Sequence, residues 1–312
     1  MKTVLITGGT GLVGKAITRL LLKEGYDVII LTRDIKKSTA NSAFANQVSY
    51  AAWDVEKQTL DTAALQKADY IIHLAGAGVV DKKWTKTYKK EIIDSRVESG
   101  KLLVKKLNET MHKVTTLVSA SAIGIYGKDN GKNLPKGFTE TDAADSSFLG
   151  ETCRLWEESV APVTAAGVRL VVLRLGIVLS AKGGALAEFQ KPIKLGVAGI
   201  LGSGKQIVSW IHISDLCNVF LLALQNDKLQ GTYNAVAPHP VSNEVLTKTL
   251  AREMKGNLFI PMHVPEFVLK IMMGERSIEV LKSATVSADK IAATTFNFKY
   301  PTIEVAVKEL VK

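Results

Sequence analysis

The stretch from Lys2 to Gly25, KTVLITGGTGLVGKAITRLLLKEG, decides the fold. Its opening run, Val4-Leu5-Ile6, is short and wholly apolar, as in a strand covered on both faces. A turn built on Gly8, Gly11 and Gly14 follows, and then Ala16, Ile17, Leu20 and Leu21 recur at the spacing of one helix face. Strand, glycine turn and helix together present unpaired backbone N–H groups and the positive end of a helix to an anion. The glycines serve three ends, namely a tight turn, room for a diphosphate to approach the backbone, and close helix–strand packing. The stretch therefore predicts a dinucleotide site built from Gly8, Thr10, Gly11, Leu12, Val13 and Gly14. Gly9 to Lys15 also fits G-x-x-x-x-G-K, but a triphosphate-binding loop needs a hydroxyl next to ligate magnesium, and Ala16 has none.

With 312 residues the chain can build one large core, or a main domain and a smaller one. A hydrophobic content of 46% and a charged content of 22% are ordinary for a soluble globular protein. Cys153 and Cys217 are far apart and form no C-x-x-C pair, which fits a reduced, cytoplasmic setting. The N-terminus enters a strand directly, without the apolar segment of a signal peptide. No apolar run reaches membrane-spanning length; Val168 to Leu179 is broken by Arg169 and Arg174. The net charge of +10 raises the question of nucleic acid. Lys82, Lys83, Lys86, Lys89 and Lys90 crowd together, but carboxylates follow them and no nucleic-acid-binding signature accompanies them. They read as a solvated helix face, and the remaining excess charge suits an anionic cofactor or small-molecule substrate. Neither nucleic acid nor a membrane is an expected partner.

After the first helix, Asp27 to Leu31 closes a βαβ unit. An acid at the end of this second strand would bind a ribose 2′-hydroxyl, and an arginine a 2′-phosphate. The sequence places Thr32 and Arg33 there, then Asp34. The guanidinium fork of Arg33 suits a phosphate and favours NADP(H) over NAD(H), unless it serves a structural ion pair or Asp34 turns inward. Val48 to Ala52 reads as a third strand; Asp54 beyond it is either an adenine contact or a turn residue. Asp69 to Leu74 forms a fourth and runs into Ala75-Gly76-Ala77-Gly78, small residues that let a cofactor approach Leu74, Ala75, Gly76 and Ala77. His73 within that run reads as a core histidine.

A helix is expected from Lys83 to Leu107, with Arg96 at its middle either reaching an anion or paired at the surface. Thr116 to Ala120 makes a fifth strand that exits through SASAIGIYG, placing Ser119, Ser121 and Tyr126 where an open α/β sheet keeps its chemistry. Lys128 to Ser147 is polar and reads as a surface loop, and Phe148 to Ala166 as a helix. Arg169 to Leu175 is a sixth strand, after which the alternation becomes irregular. Ser209 to His212 and Gly231 to Ala235 read as strands, Ser214-Asp215 as a helix start, and Asn243 onward as helical segments separated by Pro261 and Pro265. The expectation is a Rossmann-type doubly wound parallel sheet over residues 1–175, joined by 213–235, with a smaller C-terminal α+β substrate lobe from 176–212 and 236–312. His73, His112, His212, His239 and His263 show no metal-ligand spacing, and no G-x-S-x-G elbow marks a serine hydrolase.

The ordered motifs TGGTGLVG, HLAGAG, SASAIGIYG and GSGKQIVSWIHISDL resemble the extended short-chain dehydrogenase/reductase superfamily. FLGETCRLWE, RLGIVLSAKGGAL and PEFVLKIMMGERSIEVL look like its atypical epimerase-family branch, sugar-nucleotide-epimerase-like proteins with a C-terminal domain of unknown function. The resemblance covers nearly the whole chain and implies an NADP(H) cofactor, a Rossmann domain and a small substrate lobe; homodimers are common in the superfamily. It also implies a Tyr-x-x-x-Lys proton relay, yet registering on Glu157 puts Leu149 and Cys153 at those positions, and Phe148 and Thr152 one residue earlier. Counting back from Tyr126 puts Ala122 at the hydroxyl position, one residue from Ser121. Ser121 and Tyr126 are therefore the catalytic candidates, with Cys153 as a thiol acid if it is not simply buried.

Two readings follow. One is an NADP(H)-dependent oxidoreductase or epimerase acting on a small, nucleotide-linked or free, hydroxy or carbonyl substrate. The other is a cofactor-binding regulator or scaffold that has lost the relay.

Overall fold

Val4, Leu5 and Ile6 are completely buried, and they belong to two different cores. Side chains alternate across a strand, so Val4 and Ile6 face one layer of helices while Leu5 faces the other. The computed structural model describes residues 1–131 and 133–312; Lys132, inside the loop expected over 128–147, lies outside the described residues.

The first half of the chain runs β1 (Thr3–Thr7), α1 (Leu12–Lys23), β2 (Asp27–Thr32), α2 (Ile35–Ala40), β3 (Ser49–Asp54), β4 (Thr59–Leu60), α3 (Thr62–Lys67), β5 (Tyr70–His73), α4 (Lys86–Glu109), β6 (Thr116–Ala122) and α5 (Phe148–Val160). Then come β7 (Arg169–Leu175), β8 (Ile177–Ser180), β9 (Gly183–Gly184), α6 (Ala185–Lys194), β10 (Val197–Leu201), β11 (Ile207–Val208), β12 (Trp210–His212), α7 (Ile213–Gln225) and β13 (Gly231–Ala235). The remainder is β14 (Val241–Ser242), α8 (Asn243–Lys255), β15 (Ile260–Val264), α9 (Glu266–Met273), α10 (Ser277–Leu281), α11 (Asp289–Ala292) and α12 (Ile303–Leu310).

The main sheet has the order β13-β7-β6-β5-β1-β2-β3-β4. All its pairings are parallel except the short β3–β4 edge. This is a doubly wound Rossmann-type sheet. From β1 the chain winds outward through β2 and β3, then returns to β1's other edge and winds the opposite way through β5, β6 and β7. The reversal opens a crevice at the carboxyl ends of β1 and β5, where Gly8 and Leu74 lie, and such crevices take ligands.

Ile17 and Leu21 of α1 are buried against β1 and β2, together with Leu216, Val219 and Phe220 of α7. Each such apolar side chain contributes about 1.5–3 kcal/mol when fully buried. Leu65 of α3 and Leu102 and Leu103 of α4 cover the opposite face. A third core lies apart from the sheet: Trp210, Leu186, Ile193, Leu246 and Leu250 pack with Ile303, Val307 and Leu310 of the last helix.

Three sequence expectations change. Phe148–Ala166 is α-helical only to Val160 and continues as a 3-10 helix over Ala161–Ala166, with Pro162 in its first turn. The segment around Pro261 is not helical; Ile260–Val264 forms a strand parallel to β10, an edge position that tolerates the missing proline N–H. The polar stretch after Lys128 is more than a surface loop. Phe138 is buried and bridges Val286. The Asp129 carboxylate accepts from Ser283 Oγ at 2.7 Å, the Thr285 N–H at 2.7 Å and Thr285 Oγ1 at 2.9 Å. The many polar residues of this segment are stitches to residues 283–287.

The Asp129→Ala change leaves those donors without their acceptor and is expected to destabilise the protein by about 1–3 kcal/mol. Urea unfolding reads the total loss, and amide exchange at 283–287 rises above the rest; a midpoint equal to wild type would show that the stitch contributes nothing.

Candidate functional site

Helix α1 starts at Leu12 with Gly11 as N-cap and no capping side chain. The Gly11 N–H returns to Gly8 O at 3.0 Å, and the Lys15 N–H is the first to bond back to Gly11 O, at 2.9 Å. The amides of Leu12, Val13 and Gly14 thus head the helix without an intrahelical acceptor. Two glycines make this geometry obligatory. Gly8 has φ +68°, and a Cβ on it would lie 2.8 Å from the Leu74 carbonyl. A Cβ on Gly14 would lie 2.6 Å from the Gly9 Cα, so α1 can press against the turn only if that position is bare. The cradle that a side chain would fill, together with the uncapped positive helix end, fits a dinucleotide diphosphate.

Thr7 fixes the other wall. Its Oγ1 accepts from the N–H groups of Leu74 at 3.0 Å and Ala75 at 3.1 Å, so its own proton goes to His73 Nδ1, 2.8 Å away. That assigns the remaining imidazole proton to Nε2, facing Ser99 Oγ at 3.4 Å. Burial, with some repulsion from Arg96, depresses the His73 pKa to about 3, and the ring is a neutral core histidine. Beyond it, the Ala77 N–H donates to Ser95 Oγ, and Arg96 donates to Ala77 O at 3.0 Å and Ile92 O at 2.9 Å.

Arg96 is the residue whose place the sequence left open. Its guanidinium lies over the Trp156 ring, 5.0 Å from the centroid, and a Cβ on Gly76 would come 2.9 Å from its Cζ. Among the described residues its side chain bonds to carbonyls and to no carboxylate. Burial lowers its pKa, yet an arginine stays charged, so an uncompensated cation flanks the Ala75–Ala77 run. No signal short of the fold places it there, because twenty residues separate Arg96 from Gly76.

At the end of β2, Asp34 does not turn inward. It N-caps α2, accepting from the Lys37 N–H at 2.9 Å. Thr32 Oγ1 lies 2.7 Å from Ser38 Oγ. Arg33 is exposed, and its side chain has no hydrogen bond or ion pair among the described residues, which removes the structural-ion-pair alternative. Asp54 is engaged in its turn, accepting from the N–H groups of Glu56 and Lys57 at 3.0 Å each.

The catalytic candidates are spoken for. Ser121 is buried, and its hydroxyl donates to Glu157 Oε1 at 2.6 Å. Glu157 is held in a two-pronged ion pair by Arg174, Nε to Oε1 at 2.8 Å and Nη2 to Oε2 at 2.9 Å. Arg174 Nη1 donates to the Tyr126 hydroxyl at 2.9 Å, and that hydroxyl donates to Asn234 Oδ1 at 2.7 Å. Tyr126 is 0% exposed, stacked on Phe138, and burial raises its pKa to about 12. This hydroxyl suits a structural joint rather than a proton donor. Ser119 donates to Ala120 O.

The positions onto which the resemblance maps the proton relay, Leu149 and Cys153, converge in the fold. A Cβ on Gly124 would lie 3.4 Å from Leu149 Cβ and 3.7 Å from Cys153 Sγ, beside Ala122. Burial lifts the Cys153 thiol to about 11, leaving it protonated and inert. Of the lysine cluster, Lys82 pairs with Glu91, Lys90 with Asp94 and Lys89 with Glu275, a solvated face tied in part to the C-terminal segment. Among the described residues no group of three His, Cys, Asp or Glu side chains could hold a metal, and no helix is long and apolar enough to cross a membrane.

The profile of the NAD dependent epimerase/dehydratase family matches residues 4–235, and that of a domain of unknown function, DUF1731, matches 264–310. The epimerase family protein YfhF of Bacillus subtilis is 33% identical over 309 residues, covering 99% of this chain and 97% of that one. The epimerase family protein SSP1921 of Staphylococcus saprophyticus is 34% identical over 315 residues, covering 100% of both. Among solved structures, the human epimerase family protein SDR39U1 with NADPH superposes with a TM-score of 0.86 at 28% identity, covering 99% of each chain. A nucleoside-diphosphate sugar epimerase from Corynebacterium glutamicum gives 0.76 at 31% identity, over 99% of this chain and 58% of that one.

Two outcomes test this geometry. The folded His73 pKa lies below its unfolded value of about 6.5, so the unfolded chain binds more protons between the two. Stability therefore falls as the pH drops from about 6.5 toward about 3, by up to about 1.4 kcal/mol per pH unit from this group. Urea midpoints at about pH 7, 6 and 5 should show a shallower decline in His73→Asn; identical slopes would contradict the assignment. Glu157→Ala strands the Arg174 charge and is expected to cost about 3–5 kcal/mol in the same measurement.

Proposed function

The chain belongs to the NAD dependent epimerase/dehydratase family, and from that premise we propose that it binds NADP(H) and catalyses hydride transfer with a small hydroxy or carbonyl substrate. The observation that carries the choice of cofactor is the pair Arg33–Asp34. The carboxylate that would bind a 2′-hydroxyl is committed to capping α2, and the neighbouring guanidinium is free for a 2′-phosphate. The NADPH of the human structure, at 28% identity over 99% of both chains, supports this reading.

Leu12, Val13 and Gly14 would hold the diphosphate through their amides, with the Arg96 guanidinium balancing its charge from the other side of the crevice. Leu74 and Ala75, pinned by Thr7, would bound the nicotinamide side, while the bare Gly76 makes room for the Arg96 guanidinium. The bound nicotinamide would supply the hydride. Around the relay positions, Leu149 and Ala122 carry no ionisable group, and the buried Cys153 thiol, raised to about 11, does not titrate at neutral pH. The proton that balances hydride transfer at oxygen therefore comes from the substrate or from solvent, and Ser121 and Tyr126 act by holding the sheet edge.

The same apolar trio favours a second reading, in which the protein binds NADP(H) without turnover and serves as a regulator or scaffold. A panel of aldehydes, ketones and sugar nucleotides, followed by NADPH oxidation, separates the two. Turnover that survives Tyr126→Phe in the folded variant supports the first; no turnover over the whole panel supports the second.

Arg33→Ala is expected to weaken NADPH binding by about 10- to 100-fold, the loss of charge-assisted bonds worth about 1.5–3 kcal/mol, and to leave NADH binding unchanged. Calorimetric titration of both nucleotides checks this; equal effects on the two would defeat the assignment of the 2′-phosphate.

A further inference from the structure

Two cavities are lined mostly by residues outside the crevice just described, and both use Arg19 and Ala43. The smaller, of about 620 Å³, lies against the second half of α1 and includes Lys23 and Gln47. The larger, of about 640 Å³, runs between α1, the turn from β8 to β9, α7 and α12. Both volumes fall within the range of small-molecule sites. The lining of the larger cavity includes apolar Ala16, Leu20 and Cys217, polar groups on Ser214 and Asn218, and cations on Lys15, Arg19 and Lys182.

The charge balance of this lining is one-sided. Glu309 is the acid among the lining residues, and its carboxylate already accepts from His212 Nε2 at 2.9 Å; His212 Nδ1 in turn accepts from the Ser214 N–H at 3.1 Å. The ammonium groups of Lys15 and Lys182 have no hydrogen-bond or ion-pair partner among the described residues. Arg19 rests over the Phe44 ring at 5.4 Å and otherwise donates to Lys15 O at a long 3.5 Å. Three like charges around one concavity repel each other until an anion enters. The apolar part of the lining makes a bare inorganic ion a poor match and an anion with an apolar body a good one.

We propose that the groove between α1 and α7 is a second binding site, for a small organic carboxylate, sulfonate or phosphate that carries an apolar body. The anionic group meets Lys15 and Lys182, with Arg19 at the mouth, and the body lies on Ala16, Leu20 and Cys217. The site stands apart from Arg33, Arg96 and the Leu74–Ala77 run, so it does not depend on the reading of the cofactor crevice. It shares Leu12 with that crevice, so α1 is common to both.

The test is calorimetric and fluorescence titration of the full chain with 8-anilinonaphthalene-1-sulfonate, an apolar anion of suitable size. Its uncharged analogue, N-phenyl-1-naphthylamine, is titrated in parallel. A competing surface exists on α9, where Phe267 is 65% and Ile271 78% exposed, and Phe267→Ser/Ile271→Ser removes it. Saturable binding is expected in wild type and in that variant, weakened about tenfold or more by Lys15→Glu/Lys182→Glu and by the milder Lys15→Gln/Lys182→Gln, and weaker for the neutral analogue. Absence of saturable binding, affinity unmoved by both lysine variants, or loss of binding in the α9 variant would each overturn the proposal.

Discussion

The close approach of α1 to the turn after β1 is the constraint from which the rest follows. Gly14 must be bare for the helix to reach the Gly8–Gly9 backbone, and Gly8 must take a left-handed conformation beneath the Leu74 carbonyl. Once seated, the helix directs uncapped amides at the crevice where the winding of the sheet reverses. Unsatisfied backbone donors at a helix head are tolerable where water or an anion reaches them, and here the positive helix end selects the anion. Thr7 locks the opposite lip by accepting two amides at once, which commits its proton to His73 and makes a neutral, buried imidazole part of the scaffold.

A second constraint decides the chemistry. Arg174 and Glu157 form a buried ion pair, and such pairs persist only when their remaining bonding capacity is filled. Ser121, the Tyr126 hydroxyl and the Glu140 carbonyl fill it, and Asn234 in turn accepts from Tyr126. The hydroxyls nearest the carboxyl edge of β6 are therefore consumed in solvating a charge pair. Leu149 and Cys153, onto which the resemblance to the superfamily maps the proton relay, lie close together and carry no group that titrates at neutral pH.

Most of the sheet was legible in the sequence because parallel strands buried on both faces read as short runs rich in apolar residues: Val4–Ile6, Asp27–Leu31 and Arg169–Leu175 each became a strand. The glycine turn was legible because its spacing encodes backbone geometry. Beyond Leu175 the reading weakened where pairing is non-local. Ile260–Val264 is a strand only because Val197–Leu201 lies alongside it, and nothing within the segment around Pro261 announces that partner. The same limit applied to the site. Arg33 could be located from its strand, but the orientation of Asp34 depended on the short helix it caps. Arg96 and Gly76 meet only once α4 has folded back over β5, and the engagement of Ser121 and Tyr126 rests on Arg174 and Asn234, which arrive from later strands.

The most direct test of the central claim is a crystal structure of the protein grown with excess NADPH. Diphosphate oxygens are expected within hydrogen-bond distance, about 2.7–3.2 Å, of the Leu12 and Val13 backbone nitrogens. A diphosphate bound away from the head of α1, or a crevice left empty at saturating nucleotide, would contradict it.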